Sequence, residues 1–478
     1  MLFADSSCFC SIVLRRLPSL RMRHLWVVAA VGFLGCTPQS VSRPPPTDAF
    51  YFPSGLVYVD STTSSLGMLY VASANFDKRY DSGTVISVPL SGVAELPAIS
   101  APLGGFPRQI DNLGSGIAQV AIQSFAGEMD GFRLADGRTR LFIPTRAEGD
   151  LLEIVDSQDG ALSCLNGGRD CVADSSVSLT SLPFMSGGKP RAPEPVGVAI
   201  RDGQVYITHL KPADSPPKTN LQLETYTVNV AAENPIIDET SFLSLGLVAA
   251  GFGPSTNSVA VGGRFLYLSS RYLGPGGAMV WLLHRQLRVL YSVALERSYF
   301  TLEARGLAIN PEETRLYVAG RNPDSLVVVD LTNVDTDTPT LRVVRAVPLP
   351  EGPNEVRVIS RRNVADVDGS VGRLGDLVVI TSSTAGTVSI YDNGVGRLVA
   401  QIPNVGVQPF GLAVRIESEA QRDKRARIFV SNFGDGRIAV IDLPDLARPQ
   451  TAALVAYLGK QQTCLVQDQD ASCVGAAP

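Results

Sequence analysis

The chain is poor in the residues that build most active sites and in the runs that build most targeting or nucleic-acid surfaces. Only three histidines occur among 478 residues. His24 lies in the leading segment, and His209 and His284 end two separate apolar runs. Neither a histidine metal cluster nor a Ser–His–Asp arrangement is therefore expected. No run of five or six like charges appears. The 41 basic and 46 acidic residues are scattered and give a formal charge of −5, which excludes the footprint of a nucleic-acid binder. The densest basic stretch, Gln421 to Arg427, reads as a solvated loop between strands. No phosphate-cradling glycine loop and no CxxCH haem attachment occur, so no cofactor is expected. Asp366-Val-Asp368-Gly369 hints at a calcium loop, but Leu377 stands where the closing carboxylate belongs. It reads as a turn, and no metal site is expected. Past the leader, no twelve-residue segment keeps a helical period with caps, so helices should be few.

What is present starts at the N-terminus. Arg15, Arg16, Arg21 and Arg23 precede the apolar run Leu25–Leu34, followed by Gly35-Cys36. A basic region, a short apolar region and a small residue are the layout of a secretory signal. About ten apolar residues are too few to span ~30 Å of hydrocarbon as a helix. A cysteine directly after Leu34-Gly35 resembles the lipobox of bacterial lipoproteins. That resemblance implies lipidation of Cys36 and removal of residues 1–35, with either Met1 or Met22 as the start. Thr37 in place of Asp then favours the outer membrane over the inner, and the expected location is exported, lipid-anchored, at the outer membrane or in the periplasm. Residues 36–50 are rich in Pro and Ser and read as an extended tether, reaching about 35–40 Å.

Four cysteines remain for the body. They fall into two close pairs, Cys164/Cys171 and Cys464/Cys473, with no histidine or further cysteine nearby to complete a zinc site. In an oxidising compartment they read as two local disulfides, each stabilising by about 2–3 kcal/mol through a restricted unfolded chain. The second would close a C-terminal tail over 461–478.

The body repeats. Leu69-Tyr-Val-Ala-Ser73, Leu141-Phe-Ile-Pro-Thr145, Val205-Tyr-Ile-Thr-His209, Leu266-Tyr-Leu-Ser-Ser270, Leu316-Tyr-Val-Ala-Gly320, Leu377-Val-Val-Ile-Thr381 and Ile428-Phe-Val-Ser-Asn432 each precede a turn and a second strand, such as Ser325–Asp330 or Arg437–Asp442. A Pro- or Gly-opened strand comes before each pair and an apolar stretch after it. β-Branched and aromatic runs bounded by Gly, Pro, Asn and Asp are strands. Seven four-stranded antiparallel units that cannot bury both faces alone can do so by packing radially, as a seven-bladed, all-β propeller over 51–460. A β-sandwich or a solenoid is the alternative. Insertions at 157–190, 211–222 and 361–375 should project as loops.

Leu307-Ala-Ile-Asn-Pro…Leu316-Tyr-Val-Ala-Gly…Ser325-Leu-Val-Val-Val-Asp330 resembles the YVTN-type repeat of bacterial surface and periplasmic propellers. Phe410-Gly-Leu-Ala-Val…Ile428-Phe-Val-Ser-Asn…Ile438-Ala-Val-Ile-Asp442 matches it as well. The resemblance implies the lactonase-like seven-bladed fold. Its hosts include enzymes and non-catalytic surface proteins, so it implies little about activity.

Propellers usually hold ligands at the mouth of the axial channel. Aligning the seven first strands places Ser54, Arg108, Val196, Asn257, Arg305, Asn354 and Phe410 just inside it, with Glu355 next in line. Arg108, Arg305, Asn257 and Asn354 could hold a small carboxylate or phosphate, or simply satisfy strand-end carbonyls and channel water. A metal-dependent lactonase would need more acidic ligands than Glu355. The expectation is a monomeric, non-catalytic binding or scaffold protein of the envelope. Its partners would be the membrane, through the lipid, and an envelope protein or glycan, with no nucleic acid. The alternative is a lactonase-like or other small-molecule enzyme using the same mouth.

Overall fold

The structure, a computed structural model, describes residues 42–462 apart from 62–63, 100–105, 148, 175, 180–193, 211–220, 229–236, 246–255, 271–277, 287–289, 296–302, 367–369, 373 and 420–421. Cys36, Cys464 and Cys473, with the signal segment and most of the tether, lie outside the described residues.

Among these residues the chain forms seven sheets of four or five strands. The fifth is representative: Glu303–Ile309, Arg315–Arg321, Ser325–Thr332 and Thr340–Pro348 pair antiparallel in sequence order. Its middle strands carry near-continuous buried apolar residues, Leu316 to Ala319 and Leu326 to Val329. Both faces of a middle strand are covered by neighbouring sheets, so strict alternation is not required there. The outermost strand, Thr340–Pro348, is largely exposed and carries Arg342 and Arg345, which suits an edge that must not pair with other chains.

The innermost strands are Pro53–Val59, Asp130–Arg133, Pro195–Arg201, Thr256–Val261, Glu303–Ile309, Pro353–Ile359 and Pro409–Glu419. Each packs beside the next, and the last packs beside the first. The ring closes, and the fold is an all-β propeller with the innermost strands lining its axis.

Two repeated devices hold the ring. Near the start of six innermost strands the register slips, as between Pro195 and Val198 or Thr256 and Val259. The amide freed by this bulge donates to a hydroxyl on the second strand: Gly197 N–H to Thr208 Oγ1 at 3.0 Å, Ser258 to Ser269, Glu355 to Thr381 and Gly411 to Ser431. Three of those hydroxyls pass the bond to the next sheet. Thr208, Ser269 and Thr381 donate to the carbonyls of Asn257, Arg305 and Phe410 at 2.8, 2.5 and 3.1 Å. The bulge position is usually glycine because the next sheet approaches there: a Cβ on Gly411 would lie 2.4 Å from the Ser54 carbonyl oxygen.

The second device explains the aspartate that ends the repeat's third strand. Asp156, Asp330 and Asp442 stand directly across from Arg140, Arg315 and Arg427. Arg427 donates to both Asp442 oxygens, at 2.6 and 2.9 Å, and to the Pro97 carbonyl at 2.6 Å. Arg427 is buried, which corrects its expected place in a solvated loop: the strand Arg422–Asn432 carries it inside. In the sixth sheet Leu377 stands opposite Asp392, and Arg361 supplies the guanidinium at 2.7 Å. Arg361 also donates to the Leu446 carbonyl, so the 361–375 connection is anchored at its start.

The second unit departs from expectation. Arg108 does not open an innermost strand. Arg108–Ile110 lies parallel to Ala456–Leu458 as a fifth strand on the outer edge of the last sheet, and the fourth strand of the first sheet is Ala118–Ile122. The axis is reached instead at Gly127–Met129, where the Gly55 Cβ direction meets Met129 and Glu128. Arg108–Ile110 thus covers the edge of the seventh sheet shortly before Ala118–Ile122 completes the first, which ties the two ends of the ring together.

Cys164 and Cys171 are disulfide-bonded. Their loop packs back on the first sheet, where Ala121 N–H donates to the Arg169 carbonyl at 2.8 Å. Among the described residues no helix is long and apolar enough to cross a membrane.

Candidate ligand site at the channel mouth

Of the residues expected at the axis, the structure brings Asn257, Arg305 and Asn354 to equivalent positions on three successive innermost strands, with Glu355 one residue further along the third. Arg108 is the exception, exposed on the far edge of the seventh sheet. Two converging arginines are therefore not available for an anion. Arg305 is held by Glu303, Nη2 to Oε1 at 2.6 Å. The Asn257 carbonyl takes the Thr208 hydroxyl, and Asn354 is buried against Gly306.

Glu355 belongs to a cluster that the sequence reading did not assemble. Its carboxylate pairs with Arg357, two residues on and so on the same face of the strand. Glu128 approaches from the second sheet, with Ser258 donating to it, and Asp130 follows it. Asp130 accepts the Gly131 and Ile200 amides at 2.8 and 2.9 Å. The Arg357 side chain is 39% exposed and that of Glu355 only 4%. Burial pushes the Glu128 carboxyl well above the usual carboxylate range, and repulsion from Glu355 adds to it while Arg357 opposes it. Burial likewise raises Glu355 and Asp130. Three carboxyl groups share one guanidinium.

Aromatic rings rim the same face. Phe52, Phe76, Phe125, Phe410 and Phe433 form a chain of ring contacts 5.0–6.0 Å apart, with Phe410 at the start of the seventh innermost strand and the others from connections of the seventh, first and second units. Phe125 lies three residues before Glu128. Phe410 is tied to Glu355 through Thr381, which takes the Glu355 amide and gives its own proton to the Phe410 carbonyl. Phe76 is 48% exposed, and Val407, packed under the Phe433–Gly434 turn, is 47% exposed. The Lys78 ammonium sits 5.6 Å over the centre of Phe125. Phe52 and Phe125 both have φ in the left-handed region, 49° and 60°, a conformation uncommon for aromatic residues.

Outward from Phe125, between the first and second sheets, lies a cleft of about 460 Å³ lined by Lys78, Tyr80, Asp81, Gln123 and Asp170 among others. Below Gln123 is Glu153, fully buried. Its Oε1 accepts the Gln123 amide at 2.6 Å and the Thr145 hydroxyl at 2.9 Å, and its Oε2 has no partner among the described residues. Burial pushes this carboxyl up to about 7. His209 and His284 are buried in separate sheets. Among the described residues no group of three His, Cys, Asp or Glu side chains is arranged to hold a metal ion.

The chain matches no protein-family model and no curated protein. Solved structures similar to it include Kuenenia stuttgartiensis hydrazine synthase, at 12% identity over 86% of this chain and 99% of that one, with a TM-score of 0.47. The Cps50 (Swd1) β-propeller domain of Myceliophteria thermophila is 11% identical over 82% and 96%, TM-score 0.46. The periplasmic gluconolactonase of Pseudomonas aeruginosa is 16% identical over 73% and 85%, TM-score 0.46. At these values the likeness carries no activity over to this chain.

Proposed function

We propose that this chain is a recognition propeller of the bacterial cell envelope, held there by lipid on Cys36. On this reading it binds a protein or glycan partner across the mouth face of the ring, without turning it over. The observation that carries the reading is the phenylalanine rim, where Phe76 and Val407 are exposed, Phe125, Phe410 and Phe433 are half-buried and Phe52 is buried. Clustered aromatic rings at the mouth of the ring, with the Lys78 ammonium over Phe125, have the composition of a binding centre rather than of ordinary surface. Export is supported by the basic and apolar leader before Cys36 and by the Cys164–Cys171 bond, which suits an oxidising compartment. A photoreactive side chain placed at Phe76 in living cells should trap a discrete partner.

One observation favours a second reading, a small-molecule enzyme at the same mouth. Glu128 and Glu355 are held above their ordinary range, as a general acid must be. A measured turnover that Glu355→Gln abolishes would favour it over binding alone.

A further inference from the structure

The cleft of about 460 Å³ between the first and second sheets has two walls and a floor, and each is held by its own bonds. One wall is the loop through Lys78, Tyr80 and Asp81. The buried Asn75 pins it: Nδ2 donates to the Tyr80 carbonyl at 2.7 Å and to Ser124 Oγ at 2.9 Å, and Oδ1 accepts the Tyr80 amide at 3.1 Å. The other wall is the disulfide loop, which brings Asp170 and Val172. The Cys164–Cys171 bond closes that loop, and the Ala121 amide holds it through the Arg169 carbonyl. Gln123 and Ser124, both buried, make the floor. Glu153 accepts the Gln123 main-chain amide at 2.6 Å, while Gln123 Oε1 accepts the Ala147 amide at 3.0 Å. The side chain of Gln123 is thereby oriented with its NH2 group still to be used. Ser124 accepts from Asn75 and keeps its own proton to donate. Asp170, exposed at the edge of the cleft, adds a carboxylate acceptor.

These groups select a class of ligand. An apolar guest would displace water from the Gln123 and Ser124 donors without replacing its hydrogen bonds. A phosphate or carboxylate would meet Asp81 and Asp170 with Lys78 alone to oppose them, and the Lys78 ammonium already lies over Phe125. A cation would face the donors of the floor. A peptide finds no strand edge to join, because the disulfide loop already occupies the edge of Ala118–Ile122 at Ala121. A sugar ring suits all of them. Its neighbouring hydroxyls give protons to Asp170 and take them from Gln123 and Ser124, and its C–H face lies against Ala147 and Val172. The volume is in the range of small-molecule sites.

We propose that this cleft is a saccharide site, taking a neutral pyranose ring, free or at the end of a glycan. It goes beyond recognition at the phenylalanine rim, which it adjoins at Lys78, and stands whether or not position 76 traps a partner.

The test is ligand-detected NMR on the full chain with a panel of methyl hexosides and N-acetylhexosamines and the matching oligosaccharides. Inorganic phosphate and acetyl-alanine methylamide serve as competitors. Expected is saturable binding of at least one glycoside, displaced by neither competitor. Asp170→Ala should weaken it at least ~10-fold, a difference of about 1.4 kcal/mol. Gln123→Glu keeps the acceptor for the Ala147 amide but removes the donor, and should weaken binding as much. Asp170 is exposed, so Asp170→Ala should leave the thermal midpoint in place and decides the matter even if Gln123→Glu fails to fold. An oligosaccharide bound ~10-fold more tightly than its end sugar assigns the ring to a glycan, and equal affinity assigns it to a free sugar. Absence of saturable glycoside binding at tens of millimolar, or displacement by phosphate or by the amide, would overturn the saccharide assignment. Binding unchanged by Asp170→Ala would overturn the cleft as its place.

Discussion

Glu153 turns one buried oxygen into a measurable pH dependence. The residue lies in the strand Leu151–Gln158 with no exposure, and among the described residues only one of its two carboxyl oxygens has hydrogen-bond partners. Burial raises its pKa from 4.5 to about 7, Asp170 adds to the rise, and the Gln123 and Thr145 bonds oppose it. Because the folded value lies above the unfolded one, the folded chain holds a proton that the unfolded chain releases. The associated stability is complete below about pH 4.5 and is lost as pH rises through 7. At 1.36 kcal/mol per unit, the loss amounts to about 3 kcal/mol. Glu153→Gln keeps the neutral form at every pH. The difference between variant and wild type should therefore grow in favour of the variant by about 3 kcal/mol from pH 4.5 to pH 8. In a domain of ~420 residues, where the unfolding entropy is roughly 0.9 kcal/mol/K, that is a midpoint shift of about 3–4 °C. The assay is parallel thermal melts of both proteins across that range, in which all other titrations cancel. A difference that stays flat with pH would refute the reasoning, because it would mean that Glu153 ionises in the fold as readily as in the unfolded chain.

Two further predictions concern the ring. Asp442→Ala leaves the Arg427 guanidinium buried without its bidentate partner and should cost about 3–5 kcal/mol, read as a midpoint fall of several degrees. The paired change Arg427→Met with Asp442→Leu should recover most of the loss. Thr208→Val removes the hydroxyl between the Gly197 amide and the Asn257 carbonyl. It should cost about 1–3 kcal/mol and speed hydrogen exchange at Gly197, with little effect in the fifth sheet, where Ala319 stands at the equivalent place.

How far the sequence could be read depended on where each strand finds its partner. Leu316-Tyr-Val-Ala-Gly320 and Ser325–Asp330 announce themselves because their partners are a few residues away and their apolar content reflects burial on both faces. Phe106-Pro-Arg-Gln109 imitates the Pro-opened first strand, as Pro53-Ser-Gly55 and Pro409-Phe-Gly411 do. Its partner, however, is Ala456–Leu458, almost the whole chain away, and no local pattern encodes that choice. Misplacing that one strand hid Glu128, since the true approach to the axis, Gly127-Glu-Met129, has no proline to mark it. Glu355 was legible because it sits in a clear repeat. Arg357 was within reach of the same reading, as period-two alternation puts it on the Glu355 face. The phenylalanine rim was not: its members come from three units, and only ring closure brings Phe433 beside Phe52 and Phe76. Arg140, Arg315 and Arg427 looked like scattered charge until the register set each across from an aspartate.

The most direct measurement of whether the mouth face is the recognition face is photo-crosslinking in the native envelope from two positions. One is Phe76 on the rim. The other is Val395, more accessible at 60% exposure but in the turn between the third and fourth strands of the sixth sheet, on the opposite face. The expected result is a discrete adduct from position 76, with none from position 395. An adduct from 395 alone, or the same adduct from both positions, would contradict recognition at the mouth.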